Sequence, residues 1–265
     1  MSLRIQNNTE AFNAHRQLEN TSMQLSKSME RLSSGYRINR ASDDAAGLAI
    51  SEKLRAEIGG LDQAQRNTQD AVSMVQTAEG AMAEVHSMLQ RVRELAVQFQ
   101  NGTLSTSDKA AITAEAAQLQ SEIDRIGNSA DFNGIKLLDG TGGTISFQVG
   151  ANDGDIISVD TATLSDKIGT IDVDGTDAIS AIDAAIENIS SLRGSFGAVQ
   201  NRLEHTLNNL ATYQENLTAS ESRIRDVDMA SEMVEFSKNQ ILQQAGTSML
   251  AQANQAPQAV LSLLR

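Results

Sequence analysis

The sequence lacks several residue types on which catalytic and disulfide-bonded proteins depend. Its 265 residues include no Cys, no Trp, one Pro and only 3% aromatic residues. Without Cys, the chain can form neither a disulfide nor a thiolate metal site. The hydrophobic fraction is 40%, and much of it is Ala. This composition favours long helices packed side by side over a bulky-cored enzyme.

Basic residues are also scarce. The chain has 21 Lys and Arg against 34 Asp and Glu, which gives a net charge of −13. A nucleic-acid partner is thereby disfavoured, because phosphate binding needs a basic face. The first residues lack the apolar run of a secretory signal, and no stretch has the length and apolarity of a membrane span. Composition alone therefore gives the cytoplasm as the default location.

Catalytic and metal-binding motifs are absent as well. The sequence contains no G-x-x-x-x-G-K-[ST] phosphate loop, no G-x-S-x-G elbow and no H-E-x-x-H. His15, His86 and His205 are far apart, and the Asp-rich segment 153–177 lacks EF-hand spacing. We therefore expect no enzymatic activity, no catalytic residue, no cofactor and no metal site.

The longest pattern runs from Asp43 to Phe99 and predicts one amphipathic helix. Its apolar residues recur about every 3.5 residues. At about 1.5 Å per residue the helix would span roughly 80 Å, so it needs partner helices along its length. Ser42, Asp43 and Asp44 would cap its start and favour its dipole, an interpretation we prefer to acid catalysis. Three glycines within it predict close helix contacts: Gly59, Gly60 and Gly80.

A second helical pattern, from Ala178 to Ser220, predicts the missing partner. One heptad position is held by Ile182, Ile189, Phe196, Leu203, Leu210 and Leu217. This helix would be roughly 65 Å long, which nearly matches the first.

Three further helices are predicted. Residues 3–32 form a thin amphipathic helix that either packs on its own domain or becomes ordered only against other subunits. A helix at 107–126 follows a turn at 101–103 and should fold back along the end of the long helix. The last helix covers 226–264, and Pro257 should bend or interrupt it.

Residues 131–160 change to the two-residue period of a strand. We predict a β-hairpin from about Ile135 to Val149, with an extra strand at Ile156–Val159. The predicted fold class is mainly α: a long-helix bundle or coiled-coil rod with a small β-hairpin.

Several segments resemble bacterial flagellins, the subunits of the flagellar filament. They occur in the right order and span nearly the whole chain except roughly residues 158–180. The matching stretches are ERLSSGYRINRASDDAAGLAIS, GLDQAQRNTQDAVSMVQTAEGAM, LQRVRELAVQ, EIDRIGNSADFNGIKLL, FQVGANDGD and NQILQQAGTSMLAQANQAPQAVLSLLR.

The resemblance implies a division into two levels. Residues 1–42 and 224–265 would pair antiparallel and line the filament core as an inter-subunit coiled coil. Residues 43–223 would form a helical shell bundle with the hairpin at about 135–160. A short remnant of the variable region would lie at about 158–180, so functions of the outer domains of larger flagellins should not be carried over.

The function implied is structural: self-assembly into the filament used for motility, with other subunits as partners. Export by the flagellar secretion apparatus, without a cleaved signal peptide, would replace the cytoplasmic default by an extracellular filament. Further implied partners are an export chaperone that covers the C-terminal helix, and the hook-associated junction and cap proteins.

Two sets of functional residues follow from the resemblance. Arg91 and Leu95 lie one turn apart, and the helix hairpin should bring Glu115 to their level; the matching residues of similar flagellins contact the flagellin-sensing Toll-like receptor of animal hosts. We interpret subunit packing as the native role of this surface and receptor binding as incidental. The core contacts between subunits are expected at Leu18, Leu25, Leu32, Val234, Ile241 and Met249.

Two alternative functions remain. One is the hook–filament junction protein, whose termini resemble flagellin, although the continuous match through QRVRELAVQ and FQVGANDG argues against it. The other is a coiled-coil scaffold outside the flagellum, which would form stable dimers and no fibres.

Overall fold

The computed structural model of the chain describes residues 8–175 and 177–263, with side chains as far as residue 255. Its helices are α1 (Thr9–Ser34), α2 (Ala45–Phe99), α3 (Thr106–Ser129), α4 (Leu164–Ile168), α5 (Ala178–Arg225) and α6 (Met229–Leu263). Its strands are β1 (Asp131–Phe132), β2 (Ile135–Lys136), β3 (Thr144–Gln148) and β4 (Ile156–Asp160). The prediction of a mainly α fold with long helices is confirmed.

The chain divides into two compact units. A terminal unit comprises Met1–Ala56 and Leu217–Arg265, and a central unit comprises Glu57–Asn216. Helices α2 and α5 each contribute residues to both units.

The core of the central unit lies between α2, α3 and α5. Helices α2 and α5 run antiparallel, since Gln65 bonds to Gln214 near one end and Arg93 pairs with Asp183 near the other. The predicted α5 stripe is buried at Ile182, Ile189, Phe196, Leu203 and Leu210. Because this apolar period extends along five turns or more of each helix, burial of the stripe stabilises helices that would be marginal alone.

Helix α3 begins at a capping box. The Ser105 hydroxyl accepts from the Asp108 backbone N–H, and the Asp108 carboxylate accepts from the Ser105 backbone N–H. Ile112 and Ala116 are buried in the same cluster as Val92 and Ala96 of α2. The predicted fold-back of this helix along α2 is therefore confirmed.

The strand pairing differs from the prediction. Strand β2 pairs with β1 across a two-residue turn, and β3 pairs with β4 from Thr144↔Asp160 to Gln148↔Ile156. A hairpin from Ile135 to Val149 is therefore wrong. The first turn is Asn133-Gly134, with φ of 52° and 80°. Positive φ at both central residues is what a tight hairpin turn requires, and Asn-Gly supplies it.

Of the three residues predicted to cap the start of α2, Ser42, Asp43 and Asp44, it is Asp44 that does so. The Asp44 carboxylate accepts from the Gly47 backbone N–H at 2.9 Å, as an N-cap does. Asp43 instead accepts from the backbone N–H groups of Asn39 and Arg40 and pairs with Lys27.

The predicted close helix contacts at the α2 glycines are wrong. A Cβ at Gly59 or Gly80 would meet nothing within 4 Å, and one at Gly60 would touch Ala151, which lies in a loop rather than a helix. Within one copy of the described chain, Gly59 and Gly80 therefore make no close packing contact.

The predicted interruption of the last helix is also wrong, because α6 is continuous through Pro257. Proline has no N–H, so the carbonyl four residues earlier loses its helical donor. That carbonyl belongs to Ala253, and the Asn8 side chain donates to it at 2.8 Å. Asn8 also caps α1 by accepting from the Ala11 N–H at 3.0 Å. One side chain thus satisfies a helix start and compensates for a proline in the partner helix.

Candidate functional site

Helices α1 and α6 lie antiparallel in the terminal unit. Arg31 pairs with Glu232, Leu18 packs beside Gly246, and Asn8 bonds to Ala253. The less exposed residues of each helix alternate at three- and four-residue steps, as in a coiled coil. In α1 this seam comprises Ala11, Ala14, Leu18, Thr21, Leu25, Ser28 and Leu32, and in α6 it comprises Glu232, Phe236, Asn239, Gln243, Gly246, Leu250 and Ala253.

The seam is unusually polar for a helix pair. The only buried side chains that it contributes from the described residues are Thr21, Ser28, Glu232 and Asn239. The Thr21 hydroxyl donates to the Gln17 carbonyl of its own helix. Arg31 Nη1 lies 3.4 Å from Glu232 Oε2, and the Glu232 side chain is 9% exposed. Polar residues at seam positions fix register but lower stability.

Large apolar side chains of this unit point away from the seam. They are Phe12, Met23, Met29, Ile50, Met229, Met233, Val234, Ile241, Leu242 and Met249. Exposed large apolar side chains in such number favour an interaction surface, since a soluble monomer rarely leaves large apolar patches in water.

The six predicted core-contact residues fall into two groups. Leu18, Leu25 and Leu32 are half-buried in the seam, so they pack within the chain. Val234, Ile241 and Met249 are 70%, 66% and 65% exposed on the outward face. The apolar period identified the outward stripe of α6 but missed its inward one, because the inward stripe carries Glu232, Asn239 and Gly246.

Two connecting segments of the terminal unit are tied together. Tyr36 and Asp226 form an isolated β-bridge, and the Arg37 N–H donates to the Arg225 carbonyl at 2.7 Å. The Arg225 guanidinium stacks over the Tyr36 ring and pairs with Glu52 at 2.7 Å. This hydrogen-bonded pair also holds the pKa of the Glu52 carboxyl below its ordinary value. No motif in the sequence indicated this arrangement.

The predicted receptor-contact residues lie in the central unit. Arg91 donates from Nε and Nη2 to Glu115 Oε1 at 3.0 and 2.8 Å, so the hairpin does bring these two residues together. The Glu115 and Glu94 carboxylates raise the pKa of Arg91. Leu95 does not share this surface: it is 1% exposed and packs with Val92. Leu95 thus continues the inward stripe of α2, and its part in receptor contact stays a prediction.

The described residues contain no group of three or more His, Asp or Glu side chains that could hold a metal ion. Among the same residues, no helix combines the length and apolarity needed to cross a membrane.

Comparison with known proteins agrees with the sequence resemblance. Residues 5–142 match the bacterial flagellin N-terminal helical region, and residues 179–264 match the bacterial flagellin C-terminal helical region. The chain is 56% identical to a flagellin of Halalkalibacterium halodurans, covering 98% of this chain and 99% of that protein. It is 48% identical to a flagellin of Bacillus subtilis, covering 99% and 100%.

A solved structure gives the same result for part of the chain. The crystal structure of Bacillus cereus flagellin superposes with a TM-score of 0.52 at 35% identity, covering 55% of this chain and 88% of that one. Two family regions cover most of the sequence, and the relatives match over almost their full length. The chain therefore belongs to the bacterial flagellin family and is a self-assembling structural subunit of the flagellar filament.

Proposed function

We propose that the terminal unit is the part of the subunit that drives assembly, and that its outward apolar face lies in the filament core. The supporting observation is the exposure of Val234, Ile241 and Met249 on a helix whose inward face is already occupied by α1. Burying such side chains between copies gains about 25 cal/mol per Å² of apolar surface. A contact between different faces of successive copies propagates as a helix instead of closing.

Charge substitution on the outward face tests this proposal. Val234→Asp with Ile241→Asp should abolish polymerisation, because each carboxylate would be buried without a partner in the filament. Gln244→Asp, at an exposed position of the same helix, is the matched control. Sedimentation and electron microscopy after seeding measure filaments, and circular dichroism checks that the subunit stays helical.

Deletion of Val227–Arg265 is the coarser version of this test. We expect the truncated chain to lose polymerisation while its central bundle remains helical by circular dichroism. The proposal would be contradicted by filaments of the truncated chain, or by filaments of the charged double variant at the concentration at which the unsubstituted chain polymerises.

The outward apolar face is also the surface on which we propose that other flagellar proteins bind, both before and after assembly. An export chaperone would cover α6, since an apolar face this exposed promotes premature association. Hook-associated junction and cap proteins would contact the faces left open at the two filament ends. Binding of a flagellar export chaperone should protect the amides and exposed side chains of α6, and Val234→Asp should weaken that binding.

We further propose that the subunit leaves the cell through the flagellar export apparatus without cleavage of a signal peptide, which makes its location the extracellular filament. The family membership supports this route. Intact-mass measurement of subunits from sheared filaments tests it, and loss of an N-terminal segment would contradict it.

Recognition by the host Toll-like receptor is proposed for the Arg91–Glu115 ion pair, whose two side chains are 50% and 47% exposed. Leu95 is buried, so we propose for it only a supporting role through packing. Arg91→Ala should lower receptor activation by the monomer. Arg93→Ala should not, although Arg93 lies on the same helix as Arg91 and is also paired with a carboxylate, that of Asp183 on α5. Equal effects of both variants would contradict this assignment.

A further inference from the structure

The methionines of this chain are divided sharply between the two units. Of those whose side chains the structure describes, Met74 and Met82 are buried in the central unit, and Met88 is half-buried there. The five terminal-unit methionines whose side chains the structure describes are all exposed, between 48% and 65%: Met23, Met29, Met229, Met233 and Met249.

Exposure controls the chemistry of a thioether. Hydrogen peroxide oxidises an accessible methionine sulfur: the O–O bond breaks, one oxygen atom is transferred to the sulfur, and the other leaves as water. The sequence contains no Cys, so no thiol competes for the oxidant within this chain. Among the methionines with described side chains, the five exposed sulfurs are therefore the preferred targets, and Met74 and Met82 are shielded by the central core.

The product changes the surface on which assembly depends. Methionine is a flexible apolar side chain that adapts to irregular contacts, and its sulfoxide is polar. A sulfoxide buried between subunits without a hydrogen-bond donor carries a desolvation cost in the assembled state that it does not carry in the free subunit.

We propose that the exposed methionines of the terminal unit form a reversible oxidation site that switches off assembly of the free subunit. This inference rests on the proposed function of the outward face. The modifying agent is a small peroxide, and the reverse reaction belongs to methionine sulfoxide reductases. Once the subunit is in a filament, neighbouring copies cover the sulfurs and protect them.

Peptide mass spectrometry tests the site itself. After brief treatment of the monomer with hydrogen peroxide, the five terminal-unit methionines should oxidise at least tenfold faster than Met74 and Met82. In preformed filaments their oxidation should slow by about tenfold or more. Equal rates at exposed and buried positions, or no protection in filaments, would overturn the proposal.

Seeded assembly tests the consequence. Oxidation should raise the critical concentration by about tenfold, and treatment with methionine sulfoxide reductases should restore the starting value. A variant with Leu at the five positions should show the same critical concentration before and after peroxide, each protein serving as its own reference. Met88→Leu is the matched control and should remain sensitive, because its substitution lies in the central unit.

These outcomes separate the inference from the function on which it rests. If the untreated protein does not assemble, or if Val234→Asp with Ile241→Asp still assembles, the proposed function fails. If the untreated protein assembles and the oxidised protein assembles equally well, only the oxidation switch fails.

Discussion

The ion pair between Arg31 and Glu232 allows a sharp test of the polar seam. Its single hydrogen bond is long, at 3.4 Å, and the side chains are 26% and 9% exposed. Among the residues that the structure describes, Arg31 Nε and Glu232 Oε1 are buried without a hydrogen-bond partner. A pair with such incomplete bonding recovers little of the cost of removing two charges from water.

Removing one partner should therefore destabilise the α1–α6 pair more than removing both. Arg31→Leu leaves the Glu232 carboxylate largely buried and uncompensated, which costs about 3 kcal/mol, the low end for a buried pair because Arg31 retains some solvent contact. Arg31→Leu combined with Glu232→Leu replaces both charges by apolar groups. It should be close to neutral or stabilising for the α1–α6 pair.

Hydrogen–deuterium exchange of α1 and α6 amides, in monomer below the assembly concentration, measures the opening of this pair. A loss of 3 kcal/mol corresponds to exchange roughly 150-fold faster, since each 1.4 kcal/mol is about tenfold. Arg40→Leu is the control, because Arg40 pairs with Glu30 in an exposed position. Loss of that exposed pair should lower the stability of the α1–α6 pair by less than about 1 kcal/mol.

Two results would refute the reasoning. One is an Arg31→Leu effect no larger than that of Arg40→Leu, which would mean that Glu232 is effectively solvated. The other is equally fast amide exchange in the Arg31→Leu, Glu232→Leu double variant and in Arg31→Leu alone. That result would mean that the aliphatic contacts of Arg31 stabilise the α1–α6 pair and its charge does not.

Three further predictions concern other contacts. Leu203→Ala, at a fully buried position of the central core, should lower the free energy of unfolding by about 3 kcal/mol in denaturant titrations. Asn8→Ala should speed amide exchange at the start of α1 and around Ala253, because one side chain serves both helices. The Lys27 ammonium, 2.7 Å from the Asp43 carboxylate, holds the pKa of Asp43 below its ordinary value. The stability from this pair should therefore be complete above that ordinary value and fall as pH drops through the lowered pKa. In an NMR titration, Lys27→Met should raise the pKa of Asp43 toward its ordinary value, while the backbone N–H groups of Asn39 and Arg40 continue to lower it.

Local patterns were sufficient to predict the five long helices and the fold class, whereas the short α4 was not predicted. The α5 stripe was readable because one heptad position is apolar from Ile182 to Leu210, and burial followed that position. The meeting of Arg91 and Glu115 was predictable because a short turn between antiparallel helices fixes which levels face each other.

Two of the failed predictions depended on contacts distant in sequence. Strand β3 found its partner in β4 rather than β2, a choice that alternation within one strand does not encode. Helix α6 continues through position 257, and the carbonyl of Ala253 that lacks a helical donor there accepts from Asn8, at the other end of the chain.

The sequence by itself determined that this protein consists mainly of long amphipathic helices, and its motifs identified it as a member of the flagellin family. The hydrophobic period is a property of residues close together in the sequence, so it can be recognised without a structure. Only the tertiary structure decided which stripe of each helix faces inward. In α6 the polar stripe with Glu232 and Asn239 faces α1, and the apolar stripe with Val234 and Ile241 is left outward. The physical reason is that a helix with two usable faces is oriented by what packs against it, and in α6 the pairing with α1 covers the polar face and leaves the apolar face exposed.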